Sequence, residues 1–308
     1  MQFIDFHCDT ITTAFESGLS MDENNLHIDF KRLANYNAPV QYFAVWLRDE
    51  RLGKPFLNTV KYIDFFKEEL KKTKHAVKFG EGYTDIIYNR INKTSTGLLA
   101  VEGGEAIEND LDNIHRLREM GVTMMTLTWN RKNNLGFGAV TGSDFGLTDF
   151  GKDALKELNK AGILADVSHI NDKGFYDVCR LTEKPIIASH SNSRAVCNVP
   201  RNLTDDQIKE IASLGGIIGF NLCGDFIKEG GKPKGEDVIR QIEHILEVGG
   251  ESILGLGCDY DGIQNPPEKL ENVGCSVYFF HYLADYFGED VVQKIFYANA
   301  DSFLQKNL

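Results

Sequence analysis

Short apolar runs alternate with longer amphipathic segments along this chain. Eight runs stand out: Phe3–Phe6, Val40–Leu47, Gly97–Val101, Met124–Thr128, Ile163–Asp166, Pro185–Ser189, Gly216–Asn221 and Ile253–Gly257. Runs of this length between polar or turn-forming residues predict buried strands. The segments between them have helical spacing, as at Val60–Leu70, Leu111–Met120 and Asp149–Ala161, the last opened by Thr148 as N-cap and followed by Gly162. Asn171 before Asp172–Leu181 and Thr204 before Asp205–Leu214 mark two more helix starts, each with acidic residues in its first turn. Strand followed by helix, eight times over, predicts parallel strands joined by right-handed crossovers. That is an α/β chain folded as a (β/α)8 TIM barrel, with a doubly wound open sheet as the alternative. The stretch Val273–Leu308 predicts two further helices that pack Phe279, Phe280, Tyr286, Phe296 and Phe303 against the barrel. The Lys-rich segment Lys67–Lys78 fits the solvated face of the helix after the second strand.

Length and composition narrow this picture. A chain of 308 residues is within the range of one barrel. No linker-like, low-complexity or repeated stretch divides it, so residues 1–308 read as one domain. With 45 acidic against 33 basic residues the net charge is −12, which repels phosphate backbones and anionic lipid, so neither nucleic acid nor membrane is an expected partner. The first residues run straight into a strand, without a basic start and apolar stretch of the leader type, which predicts a soluble, cytoplasmic protein. The six cysteines (Cys8, Cys179, Cys197, Cys223, Cys258, Cys275) are scattered without metal-ribbon or disulfide spacing and read as reduced, mostly buried thiols.

Candidate chemistry lies at the strand ends, because the mouth of a barrel is formed by the C-terminal ends of its strands. The first run ends in His7 and Asp9, the third in Glu102, the fifth in Asp166-Val-Ser-His169, the sixth in His190 and the eighth in Asp259. Any one of these could be an ordinary hydrogen-bonded rim residue. Three imidazoles and three carboxylates at one end of one sheet are not independent accidents. The five residues His7, Asp9, Glu102, His169 and His190 exceed what one tetrahedral ion needs, and so predict two metal ions per chain, with the two oxygens of Glu102 able to bridge them. The mixed nitrogen and oxygen set suits zinc best and leaves manganese, iron and cobalt open. Asp166 reads as an orienting partner, Asp261 as a residue that could orient Asp259, and Glu105 as an outer neighbour or a solvated side chain. His27, His75, His115, His244 and His281 read as structural or exposed. Nucleophile-elbow, phosphate-loop, dinucleotide and His-Glu-x-x-His signatures are absent, and Ser189 beside His190 is not expected to act as a nucleophile, since neighbours on a strand point apart.

These residues also resemble a known family. His7-x-Asp9, Glu102-Gly-Gly-Glu105, Leu147-Thr-x-Phe-Gly151, Asp166-Val-Ser-His169, Ser189-His-Ser191, Arg201-Asn202 and Gly257-x-Asp259-Tyr-Asp261-Gly262 are similar, in order, to the motifs of the membrane (renal) dipeptidases, peptidase family M19 of the amidohydrolase superfamily. The resemblance implies a binuclear zinc dipeptidase and a homodimer. It implies that His7, Asp9 and Glu102 hold one ion and Glu102, His169 and His190 the other, that Asp259 shuttles the proton, and that Arg201 binds the substrate's terminal carboxylate beside Asn202. Where the animal members carry a histidine after Met125-Thr-Leu-Thr128, this chain has Trp129, a substrate-site residue whose indole can donate a hydrogen bond but cannot carry a proton. That departure keeps open a related amidohydrolase acting on a cyclic amide, lactam or N-acyl amino acid.

Overall fold

In the computed structural model, which describes residues 1–308, the apolar runs become strands of one parallel sheet that closes on itself. The strands are β1 (Ile4–Asp5), β2 (Val40–Trp46), β3 (Val77–Phe79), β4 (Ser95–Glu102), β5 (Val122–Thr126), β6 (Leu164–Asp166), β7 (Ile187–Ala188), β8 (Ile217–Phe220) and β9 (Leu254–Leu256). Each pairs with the next in a ring in which β2 joins β4 directly and β9 returns to β1 through Asp5 opposite Leu256. The result is an eight-stranded (β/α)8 barrel with helices between its strands and further helices at the C-terminus.

All eight expected runs lie on barrel strands; β3 is extra. It pairs with the first residues of β4, Val77 opposite Ser95, on the edge that β5 takes over from Leu99. This corrects the reading of Lys67–Lys78 as one helical face: the helix runs Pro55–Lys72 and stops at Thr73, and Lys78 lies within β3 with its side chain outward. Val77-Lys78-Phe79 alternates as a strand does, but three residues are too few for the pattern to register, so this strand was hidden.

Side-chain alternation divides the strands into two apolar sets. Phe43, Val45, Leu99, Val101 and Met125 face outward and join the helices in a large core. Val40, Tyr42, Ala44, Leu98, Ala100, Met124, Leu164, Ile187 and Ile217 form a separate lumenal cluster with Ile4 and Phe6, closed below by Ala300, Phe303 and Leu304 of the last helix. Phe6 and Phe303 meet edge to face at 6.3 Å. Continuing the lumenal register by two residues per step brings Trp46, Glu102, Thr126 and Asp166 to the upper end, and Ser189, Asn221 and Asp259 follow just past the ends of β7, β8 and β9.

The helix starts follow the expected capping. Thr148 accepts from Gly151 N, Asn171 from Gly174 N, and Thr204 forms a reciprocal capping box with Gln207. The C-terminal stretch is the helix Ser276–Phe287 followed by Glu289–Asn307, whose middle turn, Lys294–Ala298, is π-helical. Phe279, Phe280, Phe296 and Phe303 are buried there. Tyr286 is not: it is 55% exposed, and its hydroxyl hydrogen bonds Glu243 on the surface. The six cysteines are all free, three of them buried.

Candidate metal centre at the barrel mouth

The strand-end residues converge, supported from below by a polar layer around Asp166. One oxygen of Asp166 accepts the backbone N–H groups of Ser168 and Ser189, both at 2.9 Å; the other accepts the hydroxyls of Ser189, at 2.6 Å, and Thr126. Four donors leave this carboxylate no freedom. Ser189 spends its proton on Asp166, so its oxygen can only accept from His190 Nδ1, 2.7 Å away. The chain order is therefore Asp–Ser–His, with the serine buried beneath the imidazole. This corrects the expectation that Ser189 and His190 point apart: β7 ends at Ala188, and strand alternation no longer applies. It leaves Ser189 unsuited to attack, since a nucleophilic serine must donate to its histidine.

His169 is held differently. Its backbone sits at φ +68°, in the left-handed region that side chains rarely adopt, which turns the residue after Ser168 back over the mouth. Its Nδ1 meets Asn130 Oδ1 at 2.8 Å; an amide oxygen only accepts, so the proton is on Nδ1. Both His169 and His190 thus present bare Nε2 atoms. These lie 2.9 Å apart, and 2.9 and 3.6 Å respectively from Glu102 Oε1. Three electron pairs converge with no proton among them, an arrangement that a cation resolves.

On the opposite side, His7 Nε2 lies 3.6 Å from Glu102 Oε2, 3.8 Å from Asp9 Oδ2 and 4.0 Å from Asp259 Oδ1. Both ring nitrogens of His7 and one oxygen of Asp9 are buried without a hydrogen-bond partner. Unpaired buried polar atoms are costly, and a divalent ion would satisfy the Asp9 carboxylate and one of the two His7 nitrogens. The sets His7, Glu102, His190 and His7, Asp9, Asp259 each bring their donor atoms within 4.8 Å of one another. Asp259, at φ +59°, accepts from Asn221 Nδ2 at 3.0 Å. Gly262 lies so close that a Cβ there would meet the carboxylates of Asp9 and Asp259 at 2.2 and 2.4 Å.

The electrostatics call for positive charge. Burial pushes the Asp9 carboxyl up to about 6, with Glu102 adding to it, and Asp259 up to about 7, where the His7 ring opposes the rise and Asp9 and Glu102 reinforce it. Burial would also raise Glu102, but the His7 and His169 rings hold it well below the usual carboxylate range. His7 is disfavoured as a cation by burial, yet Glu102 and Asp9 lift it well above an ordinary histidine. Burial and Arg201 drop His169 to about 4, and burial and His7 hold His190 well down. Without metal, the centre favours protons on His7, Asp9 and Asp259. Divalent ions of the kind that imidazole and carboxylate bind fit the same need better.

A cavity of about 510 Å³ opens over the centre, lined by Asp9, Glu102, His169 and Asp259 below and by Trp46, Trp129, Arg48, Phe226 and Gln264 around the rim. Trp129 packs against Trp46 at 4.9 Å between ring centroids, with the Arg131 guanidinium over its face. Arg201 is buried beside the centre, donating to His190 O at 3.2 Å and covering Phe226, while its Nε has no partner.

Three side chains differ from the sequence expectations. Neither Arg201 nor Asn202 is among the residues that line the cavity; the Asn202 amide donates to the carbonyls of Ser193, Cys197 and Phe226 and knits the loop that carries Arg201. Asp261 does not touch Asp259 but accepts from Thr10 Oγ1 and from the backbone N–H groups of His27 and Ile28. Glu105, by contrast, fits the reading as an outer neighbour: it is mostly buried and pairs with Arg131 at 3.3 Å behind Trp129. Asn130 and Asn221 were missed. Asn221 ends the run Gly216–Asn221 and the strand-end rule could have found it; Asn130 carries no spacing signal.

The family model for membrane dipeptidases (peptidase family M19) matches residues 1–305. An uncharacterized dipeptidase of Schizosaccharomyces pombe is 29% identical over 84% of this chain, which spans 65% of that relative's length. Among solved structures, the dipeptidase AC of family M19 superposes with a TM-score of 0.91 at 24% identity, covering 100% of this chain and 98% of its own. A metallopeptidase from Rhodobacter sphaeroides, bound to a phosphinate mimic of the dipeptide L-Ala-D-Ala, does so with a TM-score of 0.89 at 24% identity, covering 100% and 99%. At that identity the superpositions establish a shared barrel.

Proposed function

We propose, for a chain that belongs to the membrane dipeptidase family, peptidase family M19, that it is a metal-dependent dipeptidase with two zinc ions at the barrel mouth. His7, Asp9 and Glu102 would hold one ion, and Glu102, His169 and His190 the other. The observation that carries this reading is the division of Glu102, whose Oε2 faces His7 at 3.6 Å while its Oε1 faces His169 at 2.9 Å and His190 at 3.6 Å. One carboxylate thereby addresses two groups of ligands.

Ions held there supply Lewis acidity, acidifying a water and polarising the scissile carbonyl. The chain's own residues do the rest. Asp259, fixed through Asn221, is within reach of His7 and Asp9, and serves as the base that takes the water's proton and returns it to the leaving amine. Arg201 has a buried guanidinium with an unused Nε and pairs with the substrate's terminal carboxylate, which restricts cleavage to very short peptides. Trp129 and Trp46 form an apolar wall that excludes water from the upper side of the cavity. The mimic held by the Rhodobacter sphaeroides relative is of a dipeptide, in keeping with this assignment.

Amino acid release from a panel of L-L and L-D dipeptides, with and without chelator, tests the proposal. Cleavage abolished by chelator, and by amidation of the C-terminal carboxylate, is expected; no chelator-sensitive turnover on any dipeptide would overturn it. Trp129, which can donate but not exchange a proton, motivates the second reading, hydrolysis of a cyclic amide, lactam or N-acyl amino acid. Turnover that survives amidation favours that alternative.

A further inference from the structure

The two halves of the centre differ in how their ligands are held. His169 and His190 are each oriented from behind: Nδ1 of the first by Asn130 at 2.8 Å, Nδ1 of the second by Ser189 at 2.7 Å, itself fixed to Asp166 at 2.6 Å. His7 has no such support. Neither of its ring nitrogens has a partner, one oxygen of Asp9 is likewise free, and the His7 ring is steadied only by packing, tilted by 37°, against His190 at 3.9 Å between centroids. A ligand already fixed in tautomer and rotamer loses little freedom on binding, whereas His7 and Asp9 must be ordered by the ion itself.

We infer that the centre binds its two ions unequally: the ion at His169 and His190 is retained, and the ion at His7 and Asp9 exchanges. Asn130, Ser189 and Asp166 are the positioning residues that create this difference. The inference rests on the ligand assignment proposed above, but not on what the centre hydrolyses.

Equilibrium dialysis of the full-length chain against zinc, with metal counted per chain, tests it directly. Two classes of site are expected, separated by at least about tenfold, since outer hydrogen-bond partners are worth about 10–100-fold in metal affinity. Ser189→Ala is expected to weaken the tight class by about 10–100-fold and bring the two together. His7→Ala should remove the weak class and leave the tight one. Should Ser189→Ala fail to fold by circular dichroism, Asn130→Ala reports on the other ring, and Asn130→Asp, which keeps the accepting oxygen, should restore affinity. Cobalt supplies a second readout: the visible bands of the first equivalent added should differ from those of the second, and should change in Asn130→Ala but not in His7→Ala. Two equal sites, or a tight class indifferent to Ser189 and Asn130, overturn the inference while leaving the dipeptidase reading intact. A chain that binds no zinc overturns both, and unequal binding without dipeptide turnover removes the dipeptidase reading alone.

Discussion

The two ends of the barrel lumen obey opposite rules. The lower end is filled by Phe6, Tyr42, Met124 and Ile217 over the plug of Phe303, and it is apolar, fully buried and without backbone strain at its packed residues. The upper end, a few residues farther along the same strands, buries Asp9, Glu102, Asp166 and Asp259 together with three histidines, and puts His169, Asp259 and Asp261 in left-handed backbone. One end contributes stability, and the other consumes it to hold reactive groups in place.

Substitutions at each end should separate these roles. The largest effect is expected for Glu102→Gln, which keeps volume but removes the charge both ligand groups face; dipeptide hydrolysis should fall to background, while a chain retaining both zinc ions and its activity would refute the bridging role. Asp259→Asn should lower kcat by about 10²–10⁴-fold and, because burial disfavours this carboxylate, should leave the thermal midpoint of the metal-free protein unchanged or raised. At the lower end, Phe303→Ala should do the reverse, costing about 3–5 kcal/mol in denaturant unfolding with kcat unaltered where the protein stays folded. A comparable loss of activity in both variants would erase the contrast.

A subtler test uses pH on the metal-free protein. A carboxyl whose folded-state pKa is raised contributes stability below its unfolded value, near 4, and loses it as pH rises through the folded value. With Asp9 raised to about 6 and Asp259 to about 7, that loss runs from about pH 4 to 7. His169 and His190, whose charged forms burial disfavours, act in the opposite sense over much of this interval, so the comparison isolates the carboxyl: from pH 4 to 7 the thermal midpoint of Asp259→Asn should rise relative to that of the parent, and added zinc should stabilise more at pH 8 than at pH 5. The smallest effect belongs outside both ends: Tyr286→Ser, at an exposed site, should stay within about 0.5 kcal/mol of the parent.

The contrast also explains what could be read in the sequence. Apolar runs terminated by His or Asp announce a buried strand and a functional strand end at once, which is why eight strands and the converging His7, Asp9, Glu102, His169, His190 and Asp259 were legible. The supporting residues were not. Asn130 and Asn221 act on His169 and Asp259 across 39 and 38 positions, and a neutral amide leaves no trace in charge or periodicity. Ser189 was misjudged because its strand ends one residue earlier than its apolar run, and Asn202 because a residue beside Arg201 in sequence turns into the loop.

The seam between β1 and β9 sets the timing of assembly. Asp9 N–H donates to Tyr260 O at 2.9 Å and Asp259 N–H to His7 O at 3.2 Å, so residues about 250 positions apart close the ring and bring their carboxylates together around Gly262. During synthesis at about 5–20 residues per second, His7 and Asp9 therefore wait on the order of ten seconds or more for Asp259. The nascent chain cannot own a complete centre; metal capture is an event of the finished ring, and the closing strand is the step that commits it.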